Sequence, residues 1–547
     1  MPDNAETSKQ RSATTLFTRN STGLVKSINT FDVLSFTLLA AGPMVLIPLG
    51  ILELPSLYEG VNLPLAFGIS IILLLALSYN TVALASTFPR AGGDYVFGSR
   101  VIHPIWGMIP SFMVLFSFVI GIGTLVPLAL EAFFGPTFLT SYGSNSGVAS
   151  TIITLFYGAH IDLFAVSAII LILIFTLAVA STKAWFWFVR FVSVYALVAI
   201  VVFLGYLAVT KQSTIFSNFN SQLSTGFNST GVLSNATASS WPSSVSAAAL
   251  STSGAMIFIF FFLAAPISAY FASEIRNTSR SMSIGMLGGT VISWIIATVG
   301  ILAWIGAFGY TFMSAFGFEA LINPSTAPTG AFSANALILA VVGDPNVAFF
   351  IGLGLSFAVL GLVAAPMLPA SRILFAWSFD RLIPERFAQV SERTRTPAFS
   401  LGVVAFLTIF VAGLDAYYSS VIGAFFATTV IVAIAFLPNG VTAAFLPFRK
   451  KEFFENAPPV AKKRVGGIPL VTITGLIHAI GFAVLIVLVF FYPAASGTST
   501  GKLFGTPLEI VLVGLVVSIV FYPIARALRK SASHLDPAMV YREIPPE

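Results

Sequence analysis

The sequence has no cysteine and few charged residues, and both absences limit what this protein can be. Without cysteine, disulfides and thiolate metal sites are excluded. Charged residues make up 9% of the 547 residues and hydrophobic residues make up 57%, whereas roughly a quarter of the residues in a soluble domain are charged. A chain this poor in charge cannot cover a water-facing surface. The composition therefore predicts an all-α polytopic membrane protein.

Enzyme motifs are also lacking. The sequence has no Walker loop, no Gly-x-Ser-x-Gly elbow and no His-Glu-x-x-His motif, and its four histidines form no metal-spaced pair. We therefore expect no enzyme activity, no cofactor and no metal. Residues 1–30 are polar and contain no apolar core, so no cleaved signal peptide is expected.

Twelve apolar runs are bounded by polar or Gly/Pro clusters, and a membrane-spanning helix needs about 20 such residues. The predicted spans are 31–53, 63–87, 104–134, 161–181, 185–209, 254–275, 284–312, 347–378, 398–417, 420–447, 469–493 and 506–528.

Lysine and arginine are distributed unevenly between these spans. With the N-terminus inside, Lys211 and Lys502 fall outside and the other 25 of the 27 basic residues fall inside. This asymmetry predicts that both termini are cytoplasmic. It also explains the net charge of +6 without a nucleic-acid partner. We expect a multi-pass protein of the plasma membrane, whose partners are the lipid bilayer and a small-molecule substrate.

The predicted organisation is a ten-span core followed by two further spans. Its segments are a cytoplasmic tail 1–30, the core 31–448, an external Ser/Thr/Asn-rich loop 210–253 within it, a basic cytoplasmic loop 449–468, spans 11 and 12 at 469–528, and a cytoplasmic tail 529–547. The external loop carries glycosylation sequons at Asn228 and Asn235, which are used only if the host glycosylates its outer surface. A flexible solvated loop is the alternative.

Spans 1 and 6 are each interrupted by proline near mid-membrane, at Pro43 and Pro266. Proline lacks an N–H, so we expect the carbonyls of Leu39 and Phe262 to be free. One such proline usually makes only a kink. Two at matching depth, five spans apart, indicate an inverted repeat of the kind found in secondary transporters, here 31–209 and 254–448.

Chain direction assigns a chemical role to each break. The outer half of span 1 starts at the break, so the amides of Met44 and Val45 suit an anion. The freed carbonyls suit a cation, and together the two ends fit a zwitterion such as an amino acid. The substrate-binding candidates are Ala40, Ala41, Gly42, Pro43, Met44, Val45, Phe262, Leu263, Ala264, Ala265, Pro266 and Ser268.

Three further motifs bring a family resemblance. They are Pro-Arg-Ala-Gly-Gly-Asp-Tyr-Val at 89–96, Ser-Arg-Ile-Leu-Phe-Ala-Trp-Ser-Phe-Asp-Arg at 371–381 and Glu-Ile-Arg-Asn at 274–277. Together they resemble the amino acid–polyamine–organocation (APC) superfamily. The resemblance implies a LeuT-type fold with a 5+5 inverted repeat, alternating access, and transport of amino acids or related amines. It also implies that the substrate carboxylate binds at the span 1 break.

The sequence departs from the usual family pattern at both breaks. Pro43 and Met44 follow Gly42 where a second glycine is usual, and Pro266 replaces an acidic residue often found in span 6. One of the phenylalanines at 260–262 is the expected counterpart of the family's gate aromatic. The gate candidates are Phe260, Phe261, Glu274, Arg372, Asp380 and Arg381, with Arg276 beside them. Loose solvated charges are the alternative for the charged members.

Few charged residues fall within the predicted spans, and they lie near span ends. They are Asp32, Glu131, Asp162, Arg190, Glu274 and Arg372. Asp162 and Glu131 are expected to be structural or interfacial. Span 5 lacks a midplane lysine that would indicate proton coupling, and Ser356 is a weak sodium-site candidate. The coupling ion is therefore left open between proton and sodium. A channel, or a nutrient sensor without concentrative transport, is the alternative function.

Overall fold

A computed structural model describes the chain apart from its two ends and several short internal stretches. The described residues are 24–58, 60–143, 146–222, 228–239, 241, 248–264, 266–322, 329–418, 421–491 and 508–533. Within them the architecture is α-helical, and the described strands form one short hairpin, β1 (Arg464–Val465) and β2 (Ile468–Pro469), in the basic loop.

The helices follow one another with short connections. In chain order they are α1 (Thr30–Ala40), α2 (Pro43–Leu57), α3 (Leu63–Thr87), α4 (Asp94–Val101), α5 (Pro104–Ala129), α6 (Gly135–Tyr142), α7 (Gly147–Tyr157), α8 (His160–Ala180), α9 (Thr182–Val209), α10 (Gln212–Gln222), α11 (Ser229–Ala238), α12 (Ala248–Leu263), α13 (Thr278–Met282), α14 (Gly288–Phe308), α15 (Tyr310–Ile322), α16 (Ala334–Val342), α17 (Pro345–Ala364), α18 (Met367–Phe379), α19 (Ala398–Tyr418), α20 (Val421–Arg449), α21 (Lys451–Glu455), α22 (Leu470–Phe491) and α23 (Leu508–Ser533).

Ten helical segments of the described chain are long and apolar enough to cross a membrane, and each overlaps a predicted span. An all-α polytopic membrane protein is thereby confirmed. Predicted spans 6 and 10 are not among the ten. Helix α20 covers the predicted span 10. For span 6, the prediction of helix over 254–275 is wrong beyond Leu263, because the chain continues in 3₁₀ turns at Pro266–Tyr270 and Ala272–Glu274.

The surface of the helix bundle is apolar where a soluble protein would be polar. Phe406 on α19, Leu173 on α8 and Val201 on α9 are 70%, 64% and 60% exposed. Polar side chains such as Asn80 and Arg372 are buried instead. Lipid is the solvent that fits this distribution, because exposing so much apolar surface to water is unfavourable.

Glycines let helices of the bundle approach closely. A Cβ added at Gly361 of α17 would lie 2.3 Å from the Cδ1 atom of Leu39 in α1. At Gly317 of α15 it would lie 1.9 Å from the carbonyl oxygen of Leu52 in α2. Both halves of span 1 are therefore held by neighbours that tolerate no side chain at these points.

The predicted external loop contains regular structure. Helices α10 and α11 lie within 210–253, and α10 packs against α16. The alternative of a flexible loop is thus wrong for these two segments. The exposed Asn228 caps α11 by accepting a hydrogen bond from the amide of Gly231 at 2.7 Å. Its glycosylation, like that of Asn235, stays a prediction.

Candidate substrate site and inner gate

The first span is broken at Gly42. Helix α1 ends at Ala40, and Gly42 has φ = +50°, a left-handed conformation that favours glycine, before Pro43 starts α2. The amide of Gly42 donates to the carbonyl of Leu39 at 3.1 Å. The expectation that this carbonyl is free is therefore wrong, because the turn that ends α1 supplies a new donor.

At the start of α2, one of the two predicted amides is available. The amide of Val45 donates to the carbonyl of Gly42 at 3.0 Å. The amide of Met44 has no partner among the hydrogen bonds of the described residues, as expected for the first N–H of a helix that begins with proline. Ala40, Ala41 and Met44 are buried, so this donor lies inside the protein.

The sixth predicted span is broken as well. Helix α12 ends at Leu263, and the amide of Ala264 donates to the carbonyl of Phe260 at 2.9 Å. Pro266, which cannot donate, starts the 3₁₀ turn that follows. Ala265 and the side chains of Phe261 and Phe262 lie outside the described part of the chain.

Two predicted site residues are used for packing in this structure. The hydroxyl of Ser268 lies 3.6 Å from the sulfur of Met282 and 3.5 Å from that of Met286. The ring of Phe260 packs edge-on against Phe482 of α22, with centroids 4.8 Å apart. Phe260 thus contacts span 11, and this contact favours packing over gating for that residue.

The two broken spans lie side by side. Helix α12 packs against α2, and the 3₁₀ turn Pro266–Tyr270 packs against α1. The start of the first and the end of the second are joined through the backbone: the amide of Ile28 donates to the carbonyl of Glu274 at 3.1 Å, and the amide of Arg276 donates to the carbonyl of Ile28 at 2.8 Å. The segment before span 1 is therefore tied to the C-terminal end of span 6.

Glu274 and Arg372 form a buried bidentate ion pair between span 6 and span 8. Nε of Arg372 lies 2.8 Å from Oε1, and Nη2 lies 3.0 Å from Oε2. Both residues are buried, and Nη1 of Arg372 donates to the hydroxyl of Ser371 at 3.0 Å. Two parallel N–H···O bonds fix both distance and orientation.

Asp380 is held by residues that the sequence analysis missed. Nη2 of Arg100 approaches its carboxylate at 2.7 Å, and the hydroxyl of Tyr95 donates to it at 2.8 Å. The neighbouring gate candidate Arg381 is exposed and has φ = +61°. Arg276 is exposed too, and its Nε donates to the carbonyl of Lys26 at 3.1 Å. Arg276 and Arg381 therefore lie apart from the buried pairs, and a gate role for either stays a prediction.

A third buried cluster is centred on Asp94, at the start of α4. Its carboxylate accepts a short hydrogen bond from the hydroxyl of Tyr270 and one of 2.5 Å from Nδ2 of Asn439. Burial raises the pKa of Asp94 from its ordinary value of 3.8 to about 6, and the two hydrogen bonds partly oppose this rise. The cluster links the loop after span 2 to span 6 and to α20. Its signal in the sequence was an acid in the Gly-Gly-Asp-Tyr motif.

Charges elsewhere in the bundle connect spans. Arg190 of α9 binds Asp32 of α1, with Nε 2.7 Å from Oδ1, so span 5 is attached to the N-terminal half of span 1. Glu131 lies in a π-helical turn, and its backbone carbonyl accepts a hydrogen bond from Tyr157. Asp162 lies in the first turn of α8, where a helix N-terminus favours an acid.

The ion-site candidate Ser356 is occupied by local contacts. Its hydroxyl donates to the carbonyl of Gly352 at 2.8 Å. The same hydroxyl lies 3.3 Å from the hydroxyl of Thr137. Within the described residues, no group of three or more histidine, aspartate or glutamate side chains is arranged to hold a metal.

The apolar surface and the long apolar helices define a polytopic membrane protein, and the two broken spans are typical of the transporter class. The family model described as amino acid permease matches residues 31–517. The chain belongs to this family, which confirms the resemblance to the APC superfamily. No curated protein matches the chain.

Proposed function

We propose that this protein is a secondary active transporter that moves amino acids or related amines across the plasma membrane by alternating access. Membership of the amino acid permease family supports the substrate class. The observation that carries the mechanism is the pair of helix breaks, at Gly42 and after Leu263, in two spans that lie against each other. Secondary transporters bind substrate at such breaks.

The proposed topology has twelve spans with both termini inside. Spans 1–5 (31–209) and 6–10 (254–448) form inverted repeats, and spans 11 and 12 are added to this core. Breaks in the first span of each repeat support the arrangement, because an odd number of spans turns the second unit upside down.

The proposed substrate site comprises residues 40–45 and 262–266. The free amide of Met44, at the positive end of α2, is suited to the substrate carboxylate. Helix α12 ends at Leu263, and the backbone carbonyls around Leu263 and Ala264 are suited to the substrate amine. Small residues at 40–42 let the ligand approach the main chain.

Three buried links form the proposed inner gate. They are the Glu274–Arg372 pair, the Asp380–Arg100–Tyr95 cluster and the Asp94–Tyr270–Asn439 cluster. Each joins segments near the inner ends of different spans, so in alternating access they separate when the site opens to the cytoplasm. Their closed geometry supports a state in which the inner pathway is shut.

The decisive experiment is uptake into proteoliposomes that contain the purified full-length chain. Radiolabelled amino acids and amines are supplied under an imposed proton gradient, an imposed sodium gradient or no gradient. Accumulation above equilibrium under one gradient identifies both the function and the coupling ion. Flux that only equilibrates the substrate would identify a channel, and binding without flux would identify a sensor.

A further inference from the structure

An apolar groove opens between the loop after α18 and the C-terminal half of α23, on the side that the proposed topology makes the inner one. Its volume is about 590 Å³. The loop contributes Leu382, Ile383 and Pro384, and α23 contributes Phe521, Ile524 and Leu528. Ile524 and Leu528 are 52% and 66% exposed, so the groove is open to its surroundings.

One basic side chain lines this groove, and three more lie next to lining residues in the sequence. Arg529 lines it, and the exposed Arg381, Arg386 and Lys530 are adjacent in sequence to lining residues. Glu385 is an acid at the same rim. An apolar groove edged by an excess of positive charge, at the inner end of membrane helices, matches an acyl chain attached to an anionic headgroup.

We propose that the groove binds an anionic phospholipid of the inner leaflet, with an acyl chain along α23 and the phosphate among these bases. This inference is independent of the transported substrate. The positive-inside asymmetry alone would also place bases here. It requires no groove, and it gives no reason for Arg529 to affect lipid binding more than other inner bases do.

The groove wall is continuous with the proposed inner gate. The amide of Leu382 donates to the carbonyl of Trp377 at 2.9 Å, and the hydroxyl of Ser378 donates to that of Pro384 at 2.7 Å. Trp377 also packs on Phe521, with ring centroids 5.3 Å apart. Asp380 lies between these contacts, so a lipid in the groove supports the segment that holds Asp380 against Arg100.

The test measures lipid binding to the delipidated full-length protein by native mass spectrometry and by thermal unfolding. Phosphatidylglycerol, phosphatidylcholine with the same chains, and inorganic phosphate are compared. We expect phosphatidylglycerol to bind and to raise Tm more than phosphatidylcholine does, and inorganic phosphate to leave Tm unchanged. Arg529→Gln is expected to weaken phosphatidylglycerol binding about fivefold, the contribution of one base near an anionic headgroup.

Matched controls separate the groove from general effects. Ile524→Ser, in the groove, is expected to weaken binding, whereas Ile519→Ser is not. Ile519 is the same residue type on the same helix, is 46% exposed and does not line the groove. Lys463→Gln removes an exposed base from the hairpin loop and is expected to preserve binding.

Three results would overturn the proposal. The first is equal binding of the two phospholipids, and the second is an equal loss of binding in the control variants and the groove variants. Binding that appears only after residues 534–547 are deleted would assign the groove to the chain's own tail and would also overturn it.

Discussion

Arg372 and Glu274 are 98 positions apart in sequence, and they meet through two hydrogen bonds of 2.8 and 3.0 Å inside the protein. Neither side chain is accessible enough for water to replace its partner. The pair connects the end of span 6, which has left the α-helix, to an intact helix of span 8. The irregular C-terminal half of span 6 is therefore fixed by a charge contact, which a conformational change can break and remake.

Glu274→Gln is expected to lower the free energy of unfolding by about 3–5 kcal/mol, because it leaves a buried arginine without its counter-charge. The double variant Glu274→Met/Arg372→Met is expected to be more stable than Glu274→Gln, since no uncompensated charge remains. Thermal unfolding in detergent measures both. Glu455→Gln breaks the exposed Lys451–Glu455 contact at 3.8 Å and is the control, with a change below about 0.5 kcal/mol. An equal loss of unfolding free energy in Glu274→Gln and Glu455→Gln would contradict the prediction.

Gly42→Leu is expected to abolish substrate binding and transport. The residue has φ = +50°, and a side chain in this region costs about 1–2 kcal/mol and projects into the break. Gly68→Leu is the matched control, because Gly68 lies within α3 and a Cβ added there meets no other atom within 4 Å. Binding is measured by thermal shift with amino acids, and transport by proteoliposome uptake. Unchanged substrate affinity in Gly42→Leu would show that the span 1 break is not the site.

Tyr95→Phe is expected to lower the free energy of unfolding by about 1–2 kcal/mol, because Asp380 loses a buried hydrogen bond of 2.8 Å while keeping Arg100. Arg100→Met is expected to cost more, since it leaves the carboxylate without a charge partner. Tyr142→Phe removes a hydroxyl from a ring that is 52% exposed and is the control, with a change of at most about 0.5 kcal/mol. A larger effect for Tyr142→Phe than for Tyr95→Phe would refute this account of the Asp380 cluster.

The breaks could be predicted from the sequence because proline and glycine act locally. Pro43 and Gly42 interrupt the helix wherever the chain lies, and Pro266 does the same for span 6. The hydrogen bond from the Gly42 amide to the Leu39 carbonyl could not be predicted, since it depends on the tight turn that Gly42 adopts. The position of a proline shows which backbone N–H donor is lost, but it does not show which donor replaces it.

The charge partners could be predicted only in part. Glu274 and Arg372 were grouped correctly from motifs near span ends. Asp380 and Arg381 are neighbouring gate candidates, but Arg381 is exposed and Asp380 pairs with Arg100, 280 positions away. The Asp94–Asn439 contact spans 345 positions. Such pairings follow from how helices pack, and they cannot be predicted from spacing along the chain.

The stability of the protein is expected to depend on pH through Asp94. The pKa of this residue is about 6 in the folded state, against an ordinary value of 3.8. The folded chain therefore binds the Asp94 proton more tightly than the unfolded chain does, and stability from this group is present at low pH and is lost as pH rises from about 4 to about 6. A shift of roughly two units corresponds to about 3 kcal/mol.

Asp94→Asn isolates this contribution because asparagine does not titrate. The difference in the free energy of unfolding between wild type and Asp94→Asn, followed from pH 4 to pH 7, is expected to move against the wild type and to level off above about pH 6. Thermal unfolding at closely spaced pH values measures this difference. A difference that is constant, or that moves in favour of the wild type as pH rises, would show that burial does not govern Asp94. The hydrogen bonds from Tyr270 and Asn439 would then stabilise its carboxylate by more than desolvation destabilises it.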